Sequence, residues 1–175
     1  MCKVFGAKIT SDQLNVKEIL DRVQKFAKVE NITIQIFDAK YIFGNDHIIS
    51  ACEHAKRAFA RGSNISDNLA IEILLYAAGE YQIKNALAKL GINTQSRSIA
   101  IVFIGLDEKP ESLIRKFLDN LNTAGIKLEH NDEVLAGNRD KLIRFGISDE
   151  EISAVPEERW PELILEKVAL LDISK

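Results

Sequence analysis

The sequence predicts an α/β (α+β) fold in one compact domain, with a small mixed sheet covered by several helices. Three observations support this prediction. Apolar residues recur at helical spacing in several segments, short strand-like runs lie between those segments, and no Pro- or Gly-rich linker divides the chain. The chain can bury about two thirds of its unfolded surface, so we expect residues 1–175 to form a single domain.

Three segments have the pattern of strands. Residues 4–9 and the alternating segment at 32–39 are the first two. The uninterrupted apolar run at 98–105 is typical of a central strand that is covered on both faces. Residues 125–129 are a candidate for a further strand at an edge of the sheet.

Helical spacing and cap residues indicate the helices. Asp46 is expected to cap a helix that closes at Gly62. Ser66 or Asp67 is expected to cap the next helix, which is apolar nearly all round, so Glu72 within it needs a partner or an exposed edge. Other helices are predicted at residues 16–27, at 83–90 with Gly91 as a left-handed stop, at 113–121 after the start signals Asp107 and Pro110, from the cap Ser148, and at 163–171.

The composition is that of an ordinary globular protein. Apolar residues make up 46% of the chain and charged residues 28%, which argues against disorder, collagen and coiled coil. The most apolar runs, at residues 71–78 and 99–106, are far shorter than the ~20 residues that span a membrane. We therefore expect a soluble cytoplasmic protein without a membrane partner, in which Cys2 and Cys52 are reduced.

Charge is distributed unevenly along the chain. The formal net charge is −3, but residues 1–100 carry 13 Lys or Arg against 10 Asp or Glu, whereas residues 101–175 carry 10 against 16. Any site for an anionic partner is therefore expected in the first part of the chain.

Strong motifs for catalysis, cofactors and metals are missing. The sequence has no Walker loop, dinucleotide glycine fingerprint, zinc-finger spacing, HExxH or nucleophile elbow. Their absence argues against a stand-alone enzyme, and we assign no catalytic residue, no cofactor and no metal.

Cys52 and His54 offer an alternative, a thiol hydrolase in which an imidazole activates a thiol. On a helix, however, residues two apart point about 200° away from each other. This places Cys52 on the apolar face and His54 on the opposite face, which favours a structural cysteine. We expect His47 and His130 at the surface.

The segment HAKRAFARG, residues 54–62, is a candidate phosphate-binding helix. Arg57 and Arg61 are four residues apart and share a face, with Lys56 beside them, so three cations can meet successive phosphates. The alternative is an ordinary solvated helix face.

The segment ILLYAAGEYQIKNAL, residues 73–87, interrupts an apolar helix with a glycine and three polar residues. A new helix start after Gly79 offers backbone N–H groups to an anion. Tyr81 can stack on a base and Lys84 can neutralise a phosphate, a combination suited to single-stranded RNA. Glu80 would repel phosphate, and a plain connector between two helices is the alternative.

A resemblance to a known family adds to this interpretation. Residues 51–91, with the motif EILLYAAGEYQI, and the closing EKVALLDISK resemble the small regulatory subunits of the KEOPS complex, the TPRKB-like family. That complex adds threonylcarbamoyl to the adenosine next to the anticodon of certain tRNAs, and its chemistry belongs to other subunits. The resemblance implies a non-catalytic subunit that binds the kinase-like ATPase subunit and captures the 3′ CCA end of tRNA.

The resemblance also implies positions for the contacts. The family's RNA contacts, carried over by position, fall on Lys56, Arg57, Arg61, Gly79, Tyr81 and Lys84. Gly79 would let the backbone approach the RNA closely. Where the family commonly has the Arg of RQI, this chain has Tyr81, so stacking replaces a charge-assisted contact.

For the kinase-binding surface we look to the helix at 83–90 and the C-terminal helix. The predicted apolar anchors are Leu87, Leu90, Val168 and Leu171. The alternative for each of them is a place in the core, which an exposed patch shared by both helices would argue against. A second interpretation of the function keeps the kinase but not the RNA, as a protein-interaction module that regulates the kinase.

Overall fold

The computed structural model describes residues 2–105 and 110–174. Within these ranges the chain forms four strands and eight α-helices. The strands are β1 (Cys2–Ile9), β2 (Thr33–Asp38), β3 (Ser98–Ile104) and β4 (Leu128–His130). The helices are α1 (Val16–Glu30), α2 (Gly44–Arg61), α3 (Leu69–Ala78), α4 (Ile83–Leu90), α5 (Pro110–Asn122), α6 (Arg139–Phe145), α7 (Asp149–Ser153) and α8 (Trp160–Ser174). The predicted start signal Asp107 lies outside the described residues.

The strands form one sheet in the order β2-β3-β1-β4. This confirms the predicted α/β class, but every described pair of neighbouring strands is antiparallel, so the sheet is not mixed as predicted. The reason is that β3 lies between β1 and β2 and runs opposite to both, which splits the β1-α1-β2 unit. Strand β4 occupies an edge, as expected for the segment at 125–129.

Both faces of β3 are buried, as its uninterrupted apolar run predicts. Ile99, Ile101 and Phe103 pack toward the side of the sheet that α1 and α5 cover. The alternate residues of β3 pack toward α2 and α3, and α8 in turn contacts both of these helices. A smaller apolar cluster around Phe145 joins α6, α7 and α8. The helices α2, α3, α4 and α8 therefore form one side of the molecule.

Helix α2 begins earlier than its predicted cap. Asp46 lies within the first turn, and the N-cap position belongs to Phe43, which provides no side-chain hydrogen bond. The backbone N–H of Phe43 instead donates to Nδ1 of His47, at 3.2 Å. His47 is buried, contrary to its predicted surface position, because Nε2 also lies 2.8 Å from the carbonyl oxygen of Ala77.

Two other helix boundaries differ from the prediction, one in its cap residue and the other in the backbone conformation of its final glycine. Asn68, rather than Ser66 or Asp67, caps α3, and its side chain accepts from the N–H groups of the first turn. Gly91 ends α4 in an extended conformation and not in the left-handed one, with φ −66°. A Cβ at Gly91 would lie 2.4 Å from the carbonyl oxygen of Leu87, so glycine is required there by close approach.

Glu72 is fully buried in α3 and binds the loop that precedes the helix. Its Oε2 accepts hydrogen bonds from the backbone N–H groups of Ile65 and Ser66, at 3.0 and 2.9 Å. The predicted need for a partner is thus met by backbone donors. These bonds hold the turn between α2 and α3 in place.

Replacing Glu72 with alanine is expected to lower the free energy of unfolding by about 2 kcal/mol, because two partly buried N–H groups lose a charged acceptor. Glu72→Gln keeps one acceptor oxygen and should cost less. Urea unfolding at neutral pH measures both values, with Glu53→Ala on the exposed face of α2 as the control. A loss for Glu72→Ala no larger than that of the control would contradict this role.

Within the described ranges, no helix combines the length and the apolar content that crossing a bilayer demands.

Candidate partner and nucleic-acid interface

A cleft of about 350 Å³ opens beside the connection between α3 and α4. We call it the Gly79 cleft. Its walls come from the α3–α4 connection, the end of α4, the turn between α6 and α7, and α8. The lining residues are Ala78, Gly79, Tyr81, Lys89, Phe145, Gly146, Ile147, Lys167, Leu170, Leu171 and Ser174.

Gly79 shapes this cleft by ending α3 in a left-handed conformation, with φ +63°. Its N–H and that of Glu80 donate to the carbonyl oxygens of Tyr76 and Leu75, both at 3.0 Å. A Cβ at Gly79 would lie 3.2 Å from the carbonyl oxygen of Lys167. The close approach at Gly79 is therefore made by α8, and this packing accounts for the glycine without a ligand.

The start of α4 presents Tyr81 and Lys84 to solvent. Tyr81 is 57% exposed and borders the cleft, and Lys84 is exposed in the first turn of the helix. Gln82 occupies the N-cap position, and its side chain accepts from Asn85 Nδ2 at 3.4 Å but caps no backbone N–H group. The first turn of α4 thus offers the N–H groups that the sequence predicted, next to an accessible aromatic ring.

Two lysines of the cleft were missed by sequence reasoning. Lys89 Nζ donates to the carbonyl oxygen of Ala78 at 2.8 Å and lies 3.9 Å from the centre of the Phe145 ring. Burial lowers the pKa of Lys89. Lys167 Nζ lies 2.9 Å from Oε1 of Glu151. Their meeting in one cleft depends on how α8 packs, which no local spacing in the sequence indicates.

The three predicted cations of α2 differ in their surroundings. Lys56 Nζ lies 2.9 Å from Oε1 of Glu53, and its charge acts on Cys2 at the start of β1. Arg57 and Arg61 are exposed, and the charge of Arg57 acts on Tyr76 of α3. Both arginines are therefore exposed on α2 four residues apart, whereas Lys56 is half-buried and paired with Glu53.

Asp172 of α8 joins α2 and α3 through its two carboxylate oxygens. Tyr76 Oη donates to Oδ1, and His54 Nδ1 lies 2.7 Å from Oδ2. Burial and the acceptor Asp172 raise the pKa of Tyr76. This contact connects the end of α8 to the middle of the molecule.

The thiol-hydrolase alternative gains no support from this geometry. Cys52 is fully buried, and His54 is engaged with Asp172 on another face of α2. The hydrogen bond with Cys2, together with burial, raises the pKa of Cys52. A buried thiol with a raised pKa is a poor nucleophile.

Three of the four predicted kinase anchors lie in the core, which corrects the prediction. Leu90, Val168 and Leu171 are buried in the apolar cluster that α2, α3, α4 and α8 share. Helical periodicity places them on apolar faces, and those faces turn inward because α8 packs on α2 and α3. Leu87 is 48% exposed and remains available to a partner.

Large apolar side chains are exposed on and just before α4 and on α8. In the described part of the chain, ten large hydrophobic side chains are exposed, and five of them belong to the start of α4 or the end of α8. These five are Tyr81, Ile83, Leu87, Leu170 and Ile173. Tyr81 and Leu170 line the Gly79 cleft, and Ile83, Leu87 and Ile173 lie elsewhere on α4 and α8. We call these five side chains the apolar rim. Such a concentration of exposed apolar groups marks a surface for a partner.

The cleft and the apolar rim are the features of a binding protein, and within residues 2–105 and 110–174 no group of His, Cys, Asp or Glu is arranged to hold a metal ion. A family model described as kinase binding protein CGI-121 matches residues 11–172. The chain therefore belongs to the CGI-121 family of kinase-binding proteins, which confirms the resemblance seen in the sequence. No curated protein matches the sequence significantly.

Proposed function

We propose that this chain is a non-catalytic KEOPS subunit that binds the kinase-like ATPase subunit and the 3′ CCA end of tRNA in the cytoplasm. It would thereby support threonylcarbamoyl modification of the adenosine next to the anticodon. The observation that carries the proposal is membership of a kinase-binding family over residues 11–172. The protein has no catalytic residue and needs no cofactor, because the chemistry belongs to other subunits.

The apolar rim supports the kinase-binding part of the proposal. Leu170 and Ile173 on α8 are 41% and 81% exposed, and Ile83 and Leu87 on α4 are also exposed. Leu170 faces the Gly79 cleft together with Tyr81. Burying such side chains against a partner contributes affinity without disturbing the core, so these residues replace the buried anchors as kinase contacts.

Exposed cations and one exposed ring support the RNA-binding part. Arg57 and Arg61 project from α2 into solvent, and Lys84 does so from α4. Tyr81 presents an accessible ring on which an unpaired base can stack. A short single-stranded end needs both kinds of contact, cations for its phosphates and a flat apolar surface for its bases.

One observation favours the alternative, a module that regulates the kinase without touching RNA. Lys89 lies 3.8 Å from Glu80, and Lys56 and Lys167 are paired with Glu53 and Glu151. Charges that are already neutralised attract phosphate less strongly. RNA binding would then depend on Arg57, Arg61 and Lys84 alone or be absent.

Titration of labelled tRNA into the isolated chain, at two salt concentrations, separates these functions. Intact tRNA should bind, and tRNA lacking its 3′ CCA should bind at least about tenfold more weakly, since base contacts of ~1–3 kcal/mol each are lost. The same titration on the complex with the kinase subunit shows whether the partner is needed. Equal binding of both RNAs, or none in either setting, would leave kinase regulation as the function.

Reversing two charges on α2 tests where the phosphates lie. Arg57→Glu with Arg61→Glu is expected to weaken tRNA binding and to reduce the salt slope by about two, because each lost phosphate contact removes about one. The matched control is Lys17→Glu with Lys28→Glu on α1, which is exposed on the other side of the sheet. Equal effects of the two double variants would mean that only net charge matters and would move the RNA site elsewhere.

A further inference from the structure

Cys2 and Cys52 are neighbours although 50 positions separate them in the chain. Cys2 is the first residue of β1, and Cys52 lies in the middle of α2 where that helix packs over the sheet. Their Sγ atoms are 3.2 Å apart, and neither thiol is in a disulfide. The proposed functions use neither side chain.

The two thiols differ in access and in acidity. Cys2 is partly exposed, whereas Cys52 is fully buried. The hydrogen bond with Cys52 lowers the pKa of Cys2, and the positive charge of Lys56 acts in the same direction. The pKa of Cys52 is raised. A dissolved oxidant therefore reacts with Cys2 first, and the buried thiol of Cys52 lies next to it.

We propose that Cys2 and Cys52 are a reversible oxidation site, at which a disulfide closes when small disulfides accumulate in the cell and opens when they are reduced. A disulfide has an S–S length of about 2.05 Å, so the two sulfur atoms need to approach by only about 1.2 Å from their 3.2 Å separation. At the Cys2 end of β1, β3 is the only described strand that pairs with it, because β4 pairs with Ala7–Ile9 at the other end. The main chain of Cys2 is therefore held by a described strand on one side only, which allows a movement of this size.

The oxidant is a low-molecular-weight disulfide such as oxidised glutathione. The thiolate of Cys2 attacks one of its sulfur atoms, forms a mixed disulfide, and releases one glutathione thiolate, which takes up the proton that Cys2 lost. Cys52 then gives up its proton and attacks the Cys2 sulfur. The protein S–S bond forms, and a second glutathione thiolate leaves and takes that proton. Two protein thiols are oxidised, and one small disulfide is reduced to two thiols.

Closing this bond would fasten the first strand to α2. The cross-link spans 50 positions, so it constrains the unfolded chain over a long loop. We expect the melting temperature of the oxidised protein to rise by roughly 10 °C. The site would therefore protect α2, the helix that carries Arg57 and Arg61, under oxidising conditions.

Equilibration of the whole protein with mixtures of reduced and oxidised glutathione tests the proposal. After an acid quench, the chain is unfolded and treated with a maleimide, and its intact mass is measured. Wild type in the oxidising mixture should lose both reactive thiols without gaining glutathione, remain monomeric, and recover both thiols with dithiothreitol. Cys52→Ser should instead retain a glutathione adduct on Cys2, and Cys2→Ser should retain one free thiol and show no rise in melting temperature.

Three results would overturn the proposal. The first is that both thiols of wild type react with maleimide after equilibration in the oxidising mixture. The second is that a glutathione adduct persists on Cys2 of wild type, and the third is a disulfide between two chains. Because Cys2 is partly exposed, Cys2→Ser is expected to fold, so the comparison holds even if Cys52→Ser is unstable. None of these readouts depends on kinase or tRNA binding.

Discussion

Leu170→Lys together with Ile173→Lys is expected to weaken binding of the kinase subunit about 100-fold, because two apolar contacts at an interface are replaced by charges that must be desolvated. Both side chains are exposed in the isolated chain, at 41% and 81%. The substitutions should therefore leave the stability of the fold nearly unchanged. Lysine suits the last turn of α8, where a positive charge interacts favourably with the helix dipole.

The chain offers a matched control on its opposite side. Leu20 and Val29 of α1 are 48% and 79% exposed, close to the values of Leu170 and Ile173. Leu20→Lys with Val29→Lys adds the same charge and removes the same kinds of side chain. In isothermal titration with the purified kinase subunit, this variant should bind like wild type.

The comparison of the two double variants decides where the kinase binds. If the α8 variant binds normally and the α1 variant does not, the kinase contacts the α1 side of the sheet. If both variants bind normally, the exposed apolar residues of α8 and of α1 do not supply the main contacts. Single substitutions at Ile83 and Leu87 then show whether α4 contributes, since both are exposed on the same helix.

Much of the fold follows from local patterns. The central strand at 98–105 was predicted from one uninterrupted apolar run, and its burial on both faces confirms that interpretation. The helix at 83–90 is predicted by the helical spacing of its apolar residues, and Ser148 is predicted as a cap and forms a capping box. Both signals lie within a few neighbouring residues. Strand order was not predicted, since it depends on contacts between segments far apart in the chain.

Local patterns predict the candidate site less well than the fold, because the site depends on contacts between distant segments. Periodicity placed Leu90, Val168 and Leu171 on apolar faces, but only the packing of α8 against α2 and α3 reveals that these faces lie inside. Leu170 and Leu171 are adjacent and both line the Gly79 cleft, but Leu170 is 41% exposed whereas Leu171 is buried in the core. A helical wheel ranks both as apolar, so it cannot separate a core residue from a partner contact.

Side chains that act over long sequence distances were equally hidden. The sequence gives no sign that Cys2 and Cys52 meet, because β1 and α2 are far apart along the chain. The sequence predicts His47 at the surface because no acidic or cysteine neighbour lies at ligand spacing from it. Its burial follows from the approach of Ala77 at the end of α3, whose carbonyl oxygen needs a donor.

This buried histidine predicts that acid begins to destabilise the protein at a pH above the range in which carboxylates titrate. Burial lowers the pKa of His47 from 6.5 to about 4, and the charges of Lys89 and Lys141 contribute in the same direction. Nδ1 accepts from the N–H of Phe43, so the neutral ring donates from Nε2 to Ala77. In the unfolded chain the ring is free to take up a proton at its ordinary pKa.

The sign of the effect follows from proton uptake. Between the two pKa values the unfolded chain binds a proton that the native chain does not, so lowering the pH favours unfolding. Above the unfolded pKa the imidazole is neutral in both states, and His47 contributes no pH dependence. The free energy of unfolding should fall by about 3 kcal/mol as the pH falls from 6.5 to about 4.

His47→Gln separates this contribution from that of the carboxylates. Glutamine keeps an N–H donor for the Ala77 carbonyl but does not titrate, so its stability in urea unfolding should lose little between about pH 6.5 and 4.5. Its stability at about pH 7.5, where the imidazole is neutral in both states, measures the packing cost of the substitution. If wild type and His47→Gln lost stability in parallel as the pH falls, the buried imidazole would not be the acid-sensitive group. Loss of the slope in the variant alone would show that the contact between α2 and the end of α3, beside the Gly79 cleft, sets the acid limit of the fold.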